Sequence, residues 1–349
     1  MSSAIEVREL GHDAHADWDR LVAESPHGSA YALTAYLDAL CRATGGTFRI
    51  LAAMRDGAIL GGVTLYGESS RFGTRVETRP LLYYNGFVLR AGNGKYPSLR
   101  TALEVSTLAA LEQALGRLRL ARLSLKSRDA LRDARVFLDH GWQARPTYTY
   151  VVPLDDLGAL WERMEKNLRR LVRRGEREQL AFTDDDDFPS FYRMHAQTHR
   201  RKGAPLYLPE PAFATWFHSL RALGLCRLYQ ARLPDGRSIA AQLVLLGPHP
   251  VSHTVAAAAD AEHLELGANA FLRWRAFEDL AARGAVANDL TDASLNPVTH
   301  FKSQLGGELR VNLVLSRPEP LAPRLARGAV RLAHGANSRL SRAVRATGP

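Results

Sequence analysis

The sequence predicts a mixed α/β fold built twice, with a mixed, largely antiparallel central sheet flanked by helices in each half. Two similar stretches indicate this: GTFRILAAMRDGAILGGVTLYG from Gly46 and GLCRLYQARLPDGRSIAAQLVLLG from Gly224. Each has two β-rich segments around an Asp-Gly turn, the pattern of a hairpin whose turn glycine has a positive φ. Helical stretches precede each hairpin, and a strand, a long helix and a final strand follow it. The order of elements therefore repeats with the hairpin, which favours two related α/β sandwiches.

The composition is typical of globular domains with sizeable cores. The 349 residues are 46% hydrophobic and 23% charged, and a chain of this length is expected to form two domains. We find no apolar run of the roughly 20 residues that a transmembrane helix needs, and no apolar segment of a secretory signal. Cys41 and Cys226 are the two cysteines, which excludes a disulfide framework and disfavours a cysteine metal cluster. We therefore expect a cytoplasmic protein without a metal.

Residues 1–150 are predicted to form the first domain. A helix is expected around Trp18, Ser25-Pro26 interrupts the chain, and a second helix follows over 31–43. The second strand of the hairpin contains Gly61-Gly62, where another backbone or a ligand could approach closely. The remaining elements of this half are predicted to be a helix over 101–118 and a strand over 120–126.

Residues 151–317 are predicted to form the second domain, with a boundary near residue 150 inside a strand predicted over 148–152. Leu157, Leu160, Met164, Leu168 and Leu171 lie on one stripe, which predicts a single long helix over 157–179. Ala240-Ala241 correspond to Gly61-Gly62 in the second hairpin. The other elements repeat the first half: helices over 188–199, 211–223 and 267–283, and a strand over 286–291.

The chain is strongly basic, and its last residues form a basic tail. The formal net charge is +10, which favours anionic partners such as nucleotides, nucleic acid or acidic lipid. In the tail, residues 318–349, arginines recur with no acidic residue from Leu321 onward. One interpretation is an amphipathic segment that contacts acidic lipid or RNA. The other is a solvated tail, which Gly328 and Gly335 favour.

Two arginine clusters are candidates for phosphate binding, because a guanidinium group can form two parallel hydrogen bonds to phosphate. Arg169 and Arg173 lie on the predicted long helix, where nearby glutamates offer ordinary i,i+4 ion pairs instead. Arg200 and Arg201 lie at a predicted helix end, where cations also offset the helix dipole.

Three further motifs are better explained by structural roles than as metal, calcium or phosphate sites. His195 and His199 lie one helical turn apart in HAQTH, but a zinc peptidase needs Glu at the position of Ala196, so surface or core-edge histidines are favoured. The four aspartates at 184–187 lack the pattern of a calcium loop and suit the start of the next helix. The sequence AGNGK at 91–95 lacks the spacing of a phosphate-binding loop.

Two segments near the C-terminus are stronger candidates. Gly267-Ala268-Asn269 is expected to open the last long helix just after a strand, where unpaired N–H groups suit an anion. Lys302 follows the aromatic Phe301, and an ammonium fixed there could stabilise a developing oxyanion or hold a phosphate. The alternative for Lys302 is an exposed loop lysine.

These C-terminal residues also carry a resemblance to a known family. The segments that resemble the FemAB-like, or BioF2-like, branch of the GNAT acyltransferase superfamily are Phe271-Leu272-Arg273-Trp274, Ala281-Ala282-Arg283-Gly284, Asp289-Leu290-Thr291 and Phe301-Lys302-Ser303-Gln304-Leu305-Gly306. The arginine-rich helix after Asn167 and the aromatic Tyr31 and Tyr36 are also similar to that family. The resemblance covers about residues 15–317 and implies two tandem GNAT-like domains.

The resemblance implies an acyltransferase that moves an acyl or aminoacyl group from an activated donor, with acyl-CoA favoured, to an amine. The amine would belong to a small molecule or a carrier, in cell-envelope or polysaccharide biosynthesis. By similarity, Phe301 and Lys302 lie at the transfer site, with Lys302 on the oxygen of the tetrahedral intermediate, and 267–269 hold cofactor phosphates. Asp289 and Asp292 are candidate bases. The candidates for substrate binding are Arg169, Arg173, Arg200, Arg201 and Tyr36.

Departures from the family pattern leave alternatives open. No lysine closely follows Tyr36, and the helical hairpin that some tRNA-using members carry is missing, which favours acyl-CoA over charged tRNA. The family's Asp-Phe-Gly element is here Asp289-Leu290-Thr291. One alternative is an aminoacyl-tRNA-dependent peptidyltransferase. Another is a non-catalytic GNAT-fold protein that binds nucleic acid or acts as a scaffold. The basic tail could also bring the protein to the inner face of a membrane.

Overall fold

The computed structural model describes residues 4–318, so the basic tail predicted at 318–349 lies outside the described residues apart from Pro318. The strands are β1 Glu6–Glu9, β2 Thr47–Arg55, β3 Ala58–Ser70, β4 Gly73–Val76, β5 Phe87–Leu89, β6 Arg122–Ser127, β7 Gln143–Pro153, β8 Ala181–Asp184, β9 Cys226–Arg232, β10 Ser238–Leu245, β11 Val251–Ala259, β12 Ala287–Asp289 and β13 Glu308–Ser316. The α-helices are α1 His15–Glu24, α2 Thr34–Thr44, α3 Pro97–Gly116, α4 Arg135–Asp139, α5 Leu157–Arg163, α6 Lys166–Arg177, α7 Phe188–Lys202, α8 Glu210–Ala222, α9 Ala268–Ala282 and α10 Pro297–Ser303.

The strands form one 13-stranded mixed sheet in the order β1-β2-β3-β4-β6-β13-β7-β12-β11-β10-β9-β8, with β5 paired to β3. In the first half β2, β3 and β4 are successively antiparallel, and β4 runs parallel to β6. In the second half β9, β10 and β11 are successively antiparallel, and β11 runs parallel to β12. The same pairing pattern therefore occurs twice, which confirms the predicted mixed α/β fold with tandem halves.

Two strands link the halves by crossing from one to the other. β7, which follows the first half in sequence, pairs antiparallel with β12 of the second half. β13, the last strand, pairs antiparallel with β6 of the first half and with β7. The boundary predicted near residue 150 thus falls inside β7, a strand that belongs to the second half by its pairing.

Both predicted hairpins form around their Asp-Gly turns. Gly57 and Gly236 have φ values of 79° and 85°, which glycine adopts at no steric cost. The predicted close approach at the small residues is also present: a Cβ at Gly61 would lie 2.6 Å from a Leu89 side-chain carbon, and one at Gly62 would lie 2.4 Å from the Leu51 carbonyl oxygen. Glycine at position 61 lets β5, which carries Leu89, pack closely on β3, and glycine at position 62 lets α1 pack closely on the same strand.

The single long helix predicted over 157–179 is wrong. The chain leaves helical geometry at Met164 and Glu165, whose ψ values are 141° and 140°, so α5 and α6 are separate helices. The break buries Met164 in the core, and the Glu165 N–H donates to the Gln304 carbonyl at 3.0 Å. Tertiary contacts of these two residues outweigh the helical pattern of their side chains.

An aromatic core joins the two halves. Tyr36 of α2 meets Trp216 of α8 with ring centroids 6.0 Å apart, and both side chains are fully buried. This cluster contains residues of both halves, and two further clusters lie under β6 and β10. Within residues 4–318, no helix is long and apolar enough to cross a membrane.

Candidate active site

A cavity of about 550 Å³ opens in the second half between α7, β11, α9 and the segment from β12 to α10. One wall is the face of α7 that carries His195, Thr198, His199 and Lys202, which recur at the spacing of one helical face. The floor is β11 from Thr254 to Ala257. Both the size and the mixture of apolar and polar side chains suit a small-molecule site.

Lys302 lies on the wall of this cavity. α10 begins at Pro297 after Asn296, whose side-chain oxygen accepts from the Thr299 N–H at 3.0 Å. This short helix carries Lys302 inward, so that its side chain is 9% exposed and its Nζ donates to the carbonyl oxygens of Thr291 at 2.7 Å and Asp292 at 2.6 Å. Burial, together with the charge of Arg273, lowers the pKa of Lys302 to about 8. The structure therefore holds a buried ammonium at a fixed point rather than a loop lysine in solvent.

Asp289 and Asp292 differ in surroundings. Asp289 is buried at the end of β12 and accepts hydrogen bonds from the Tyr84 hydroxyl at 2.7 Å, the Thr291 N–H at 2.8 Å and the Thr149 hydroxyl. Burial alone would raise the pKa of Asp289, but His253, whose Nδ1 lies 3.6 Å from the carboxylate, and Thr149 hold it well below its ordinary value. Asp289 stays outside the cavity lining, whereas the exposed Asp292 is part of it.

His195 and His199 both line the cavity, although the sequence suggested only surface or core-edge histidines. Their ring centroids are 4.1 Å apart. The His199 Nδ1 lies 2.7 Å from the Pro205 carbonyl oxygen, which can only accept, so Nδ1 carries a hydrogen, and the neutral form of this ring has its lone pair on Nε2. Burial, and then the charge of His199, lower the pKa of His195 to about 3, so His195 is neutral at pH 7. The signal that could have found this wall is the recurrence of polar residues on one face of α7.

Two buried cations, Arg273 and Lys126, were not among the site residues predicted from the sequence. Arg273 of α9 lines the cavity with a side chain that is 6% exposed, and burial lowers its pKa to about 10. Lys126 of β6 is buried behind the cavity with its Nζ 3.2 Å from the centroid of the Tyr83 ring. Burial lowers the pKa of Lys126 to about 8, partly offset by the charges of Asp292 and Asp289. Arg273 lies in one of the segments that resemble the FemAB-like family but was not identified there as a site residue, and no sequence motif marks Lys126.

The other candidate residues lie outside the cavity lining. Phe301 is half-buried and packs on the core of the second half. Arg169 pairs with Glu162 at 2.9 Å, and Arg173 lies 5.6 Å from the centroid of the Trp161 ring. Arg200 and Arg201 are exposed at the end of α7, next to Lys202, which does line the cavity. Tyr36 is fully buried, and its hydroxyl donates to the Leu81 carbonyl.

The start of α9 differs from its predicted surroundings. A 3-10 turn, Ala261–Leu266, separates β11 from α9, so the helix does not follow the strand directly. Gly267 has a φ of 78°, and a Cβ there would lie 2.4 Å from the Leu171 carbonyl oxygen. Gly267 and Ala268 are buried, Asn269 is half-buried, and the backbone of α6 packs closely against this helix start.

Comparisons with known proteins agree with this architecture. Residues 162–302, which include α7, Arg273 and Lys302, match the family model of the acetyltransferase (GNAT) domain. The structure of FemX is similar over 88% of this chain and 96% of its own length, with 14% identity and a TM-score of 0.71. The C-terminal domain of a candidate lysylphosphatidylglycerol synthetase from Agrobacterium fabrum is similar over 90% of this chain and 94% of its own, with 13% identity and a TM-score of 0.55.

A third similar structure is a tandem GNAT protein from the clavulanic acid biosynthesis pathway. It covers 90% of this chain and 99% of its own length, with 12% identity and a TM-score of 0.53. No curated protein sequence matches this chain. At these identities the structural similarities show a shared fold.

Proposed function

We propose that this chain is an N-acyltransferase of a FemAB-like family of the GNAT superfamily, which moves an acyl group from an activated donor to an amine. The match of residues 162–302 to the acetyltransferase (GNAT) domain and the fold shared with FemX support this proposal. The observation that supports this most is the Lys302 ammonium, which two backbone carbonyls hold on the wall of the 550 Å³ cavity. We place the reacting groups in that cavity.

Lys302 would stabilise the charge that grows on the acyl carbonyl oxygen. An ammonium has three N–H donors. The carbonyls of Thr291 and Asp292 occupy two of them, which fixes Nζ and leaves one N–H for the substrate. A donor that is positioned before the reaction needs no reorganisation as the oxyanion forms, and its interaction is stronger in a protein cavity than in bulk water.

His199 is the base that the geometry favours. The attacking amine forms the new C–N bond and loses a proton, the bond to the leaving group breaks, and the electron pair of that bond goes to the leaving group. The Nε2 lone pair of His199, available because Nδ1 donates to Pro205, can take the proton. Asp292 also lines the cavity and is the second choice, whereas the oxygens of Asp289 are already engaged by three donors.

We propose acyl-CoA as the donor, and a small-molecule or carrier-linked amine of the cell envelope or of a polysaccharide as the acceptor. The proposal of acyl-CoA is supported by the missing lysine after Tyr36 and by the missing helical hairpin. The alternative donor is charged tRNA, which the net charge of +10 favours. The similarity to a candidate lysylphosphatidylglycerol synthetase supports an envelope acceptor. We place the protein in the cytoplasm, with its basic tail at the inner face of the membrane.

The experiment measures acyl transfer with each donor. The full chain is incubated with acyl-CoA thioesters of several lengths and a panel of amines, free thiol is quantified, and products are identified by mass spectrometry. A parallel reaction contains charged tRNA. Ala257→Trp, which fills the cavity from β11, is expected to abolish transfer, whereas Ala181→Trp on the exposed edge strand β8 should not change it. Equal activity of both variants, or no transfer from either donor, would contradict the proposal.

A further inference from the structure

Arg273 of α9 is a buried cation. Its side chain is 6% exposed and lines the cavity, and its Nη1 is shielded from solvent without a hydrogen-bond partner. Within residues 4–318, no hydrogen bond or ion pair to this guanidinium is present, and burial is the one cause that shifts its pKa. Arginines are rarely buried unless paired, because an isolated charge loses its hydration without compensation. The neighbouring Arg275 follows the usual pattern: it is exposed and pairs with Glu278 at 2.8 Å.

Other cations share the cavity with Arg273. The ionisable side chains of the lining are those of Arg273, Lys302, Lys202, Asp292, His195, His199 and Tyr207. Arg273, Lys302 and Lys202 are basic and Asp292 is a carboxylate, whereas the two histidines and Tyr207, whose pKa burial raises, add no negative charge. The Nζ of Lys302 donates to two carbonyl oxygens, and the carboxylate of Asp292 acts on it through its charge. The cavity lining therefore carries more basic than acidic side chains.

Two neutral groups in the same lining also lack partners. His195 Nε2 and Thr198 Oγ1 are shielded from solvent and make no hydrogen bond within the described part of the chain. Buried polar atoms without partners are uncommon in folded proteins, and each costs free energy that a ligand could recover. Two unpartnered polar groups and an unpaired guanidinium on the wall of one cavity are typical of the lining of a ligand-binding site.

We propose that this cavity binds an anionic group, a carboxylate or a phosphate, against the guanidinium of Arg273. The inference rests on the proposed function, because the group would belong to one of the two substrates and Arg273 would hold that substrate beside Lys302. A guanidinium fork matches the oxygens of either anion through two parallel hydrogen bonds. Arg273 is thus a binding residue, and Lys302 remains free to act on the carbonyl oxygen.

The test measures anion binding by thermal denaturation of the full chain. Melting temperature is recorded in sodium acetate and in sodium phosphate, each against sodium chloride at the same ionic strength and pH. The variants are Arg273→Met, which removes the charge and keeps an apolar stem, and Arg273→Lys, which keeps the charge without the fork. Arg275→Met is the matched control on the same helix, outside the cavity lining.

We expect an anion-dependent rise in the melting temperature of the wild type and of Arg275→Met. Arg273→Met should lose the rise, with an apparent affinity roughly 10- to 100-fold weaker, since hydrogen bonds to charged groups contribute that much. In chloride alone Arg273→Met should melt at or above the wild-type temperature, because it removes an uncompensated buried charge. A rise with phosphate alone points to a phosphate of the donor, and a rise with acetate alone points to a carboxylate of a substrate.

The inference is overturned if the wild type responds to neither anion, or if Arg273→Met responds as the wild type does. If Arg273→Met does not fold, Arg273→Lys decides: an affinity equal to that of the wild type contradicts the inference, and a weaker one supports it. These readouts do not depend on turnover. A protein that binds anions through Arg273 but transfers no acyl group retains this inference and loses the proposed function.

Discussion

Replacing Lys302 with alanine gives the most direct test of the proposed chemistry. The variant removes an ammonium whose Nζ is held by the Thr291 and Asp292 carbonyls at 2.7 and 2.6 Å, and with it the N–H left for the developing oxyanion. Loss of one such donor costs about 3 kcal/mol of transition-state stabilisation, or roughly two to three decades in kcat. Thiol release from the acyl-CoA substrate, measured at saturating amine, gives kcat and KM separately. We expect kcat to fall by that amount while KM changes little.

The control for this experiment is Lys166→Ala. Lys166 is an exposed lysine at the start of α6, outside the cavity lining, so its loss should leave kcat unchanged. Far-UV circular dichroism and the melting temperature establish that both variants are folded. A folded Lys302→Ala protein whose kcat stays within twofold of the wild-type value would refute the role of Lys302, whatever the activity of the control.

Three further outcomes are expected. Because the pKa of Lys302 is about 8, its charge is lost as pH rises through that value, and kcat should fall about tenfold per pH unit above it. In Lys302→Arg this alkaline decrease should disappear from the pH profile of thiol release. Asp289→Ala leaves three buried donors without an acceptor and should lower the free energy of unfolding by about 3 kcal/mol in urea titrations. An unchanged midpoint of the urea transition would show that those donors find other partners. Gly175→Ala puts a Cβ 2.7 Å from the Cβ of Phe271 and should lower the free energy of unfolding by about 1–3 kcal/mol. Gly116→Ala, at a helix end with open space around it, should leave the free energy of unfolding unchanged or raise it in the same titration.

The repeated hairpins show which parts of the fold are encoded locally. An Asp-Gly pair between β-rich segments sets a turn whose glycine has a positive φ, and this depends only on neighbouring residues. The helices that became α7, α8 and α9 were also predicted within a few residues of their ends. The break between α5 and α6 was not, because it depends on the burial of Met164 and on a contact between Glu165 and Gln304.

The candidate site, too, was predicted only in part from the sequence. The resemblance in the Phe301-Lys302 segment marked Lys302 from the sequence, and the structure places this residue on the cavity wall. The other side of the cavity was missed: His195 and His199 lack the pattern of a metal site, and the sequence does not show that Arg273, one of two arginines on α9, is buried while Arg275 is exposed. Their relation to Lys302 exists only after α7, α9 and α10 pack around β11.

The sequence by itself determined the periodic elements and the repeat, and it singled out Lys302 through a segment that resembles the FemAB-like family, because each of these is a pattern of neighbouring residues. Tertiary structure alone decided that β7 and β13 cross between the halves, that Asp289 is enclosed in a hydrogen-bond network while Asp292 faces the cavity, and that Arg273 is buried with no counter-ion among residues 4–318. The physical reason is that burial and charge balance depend on which distant segments meet, and a side chain acquires its pKa and its partners only from that packing.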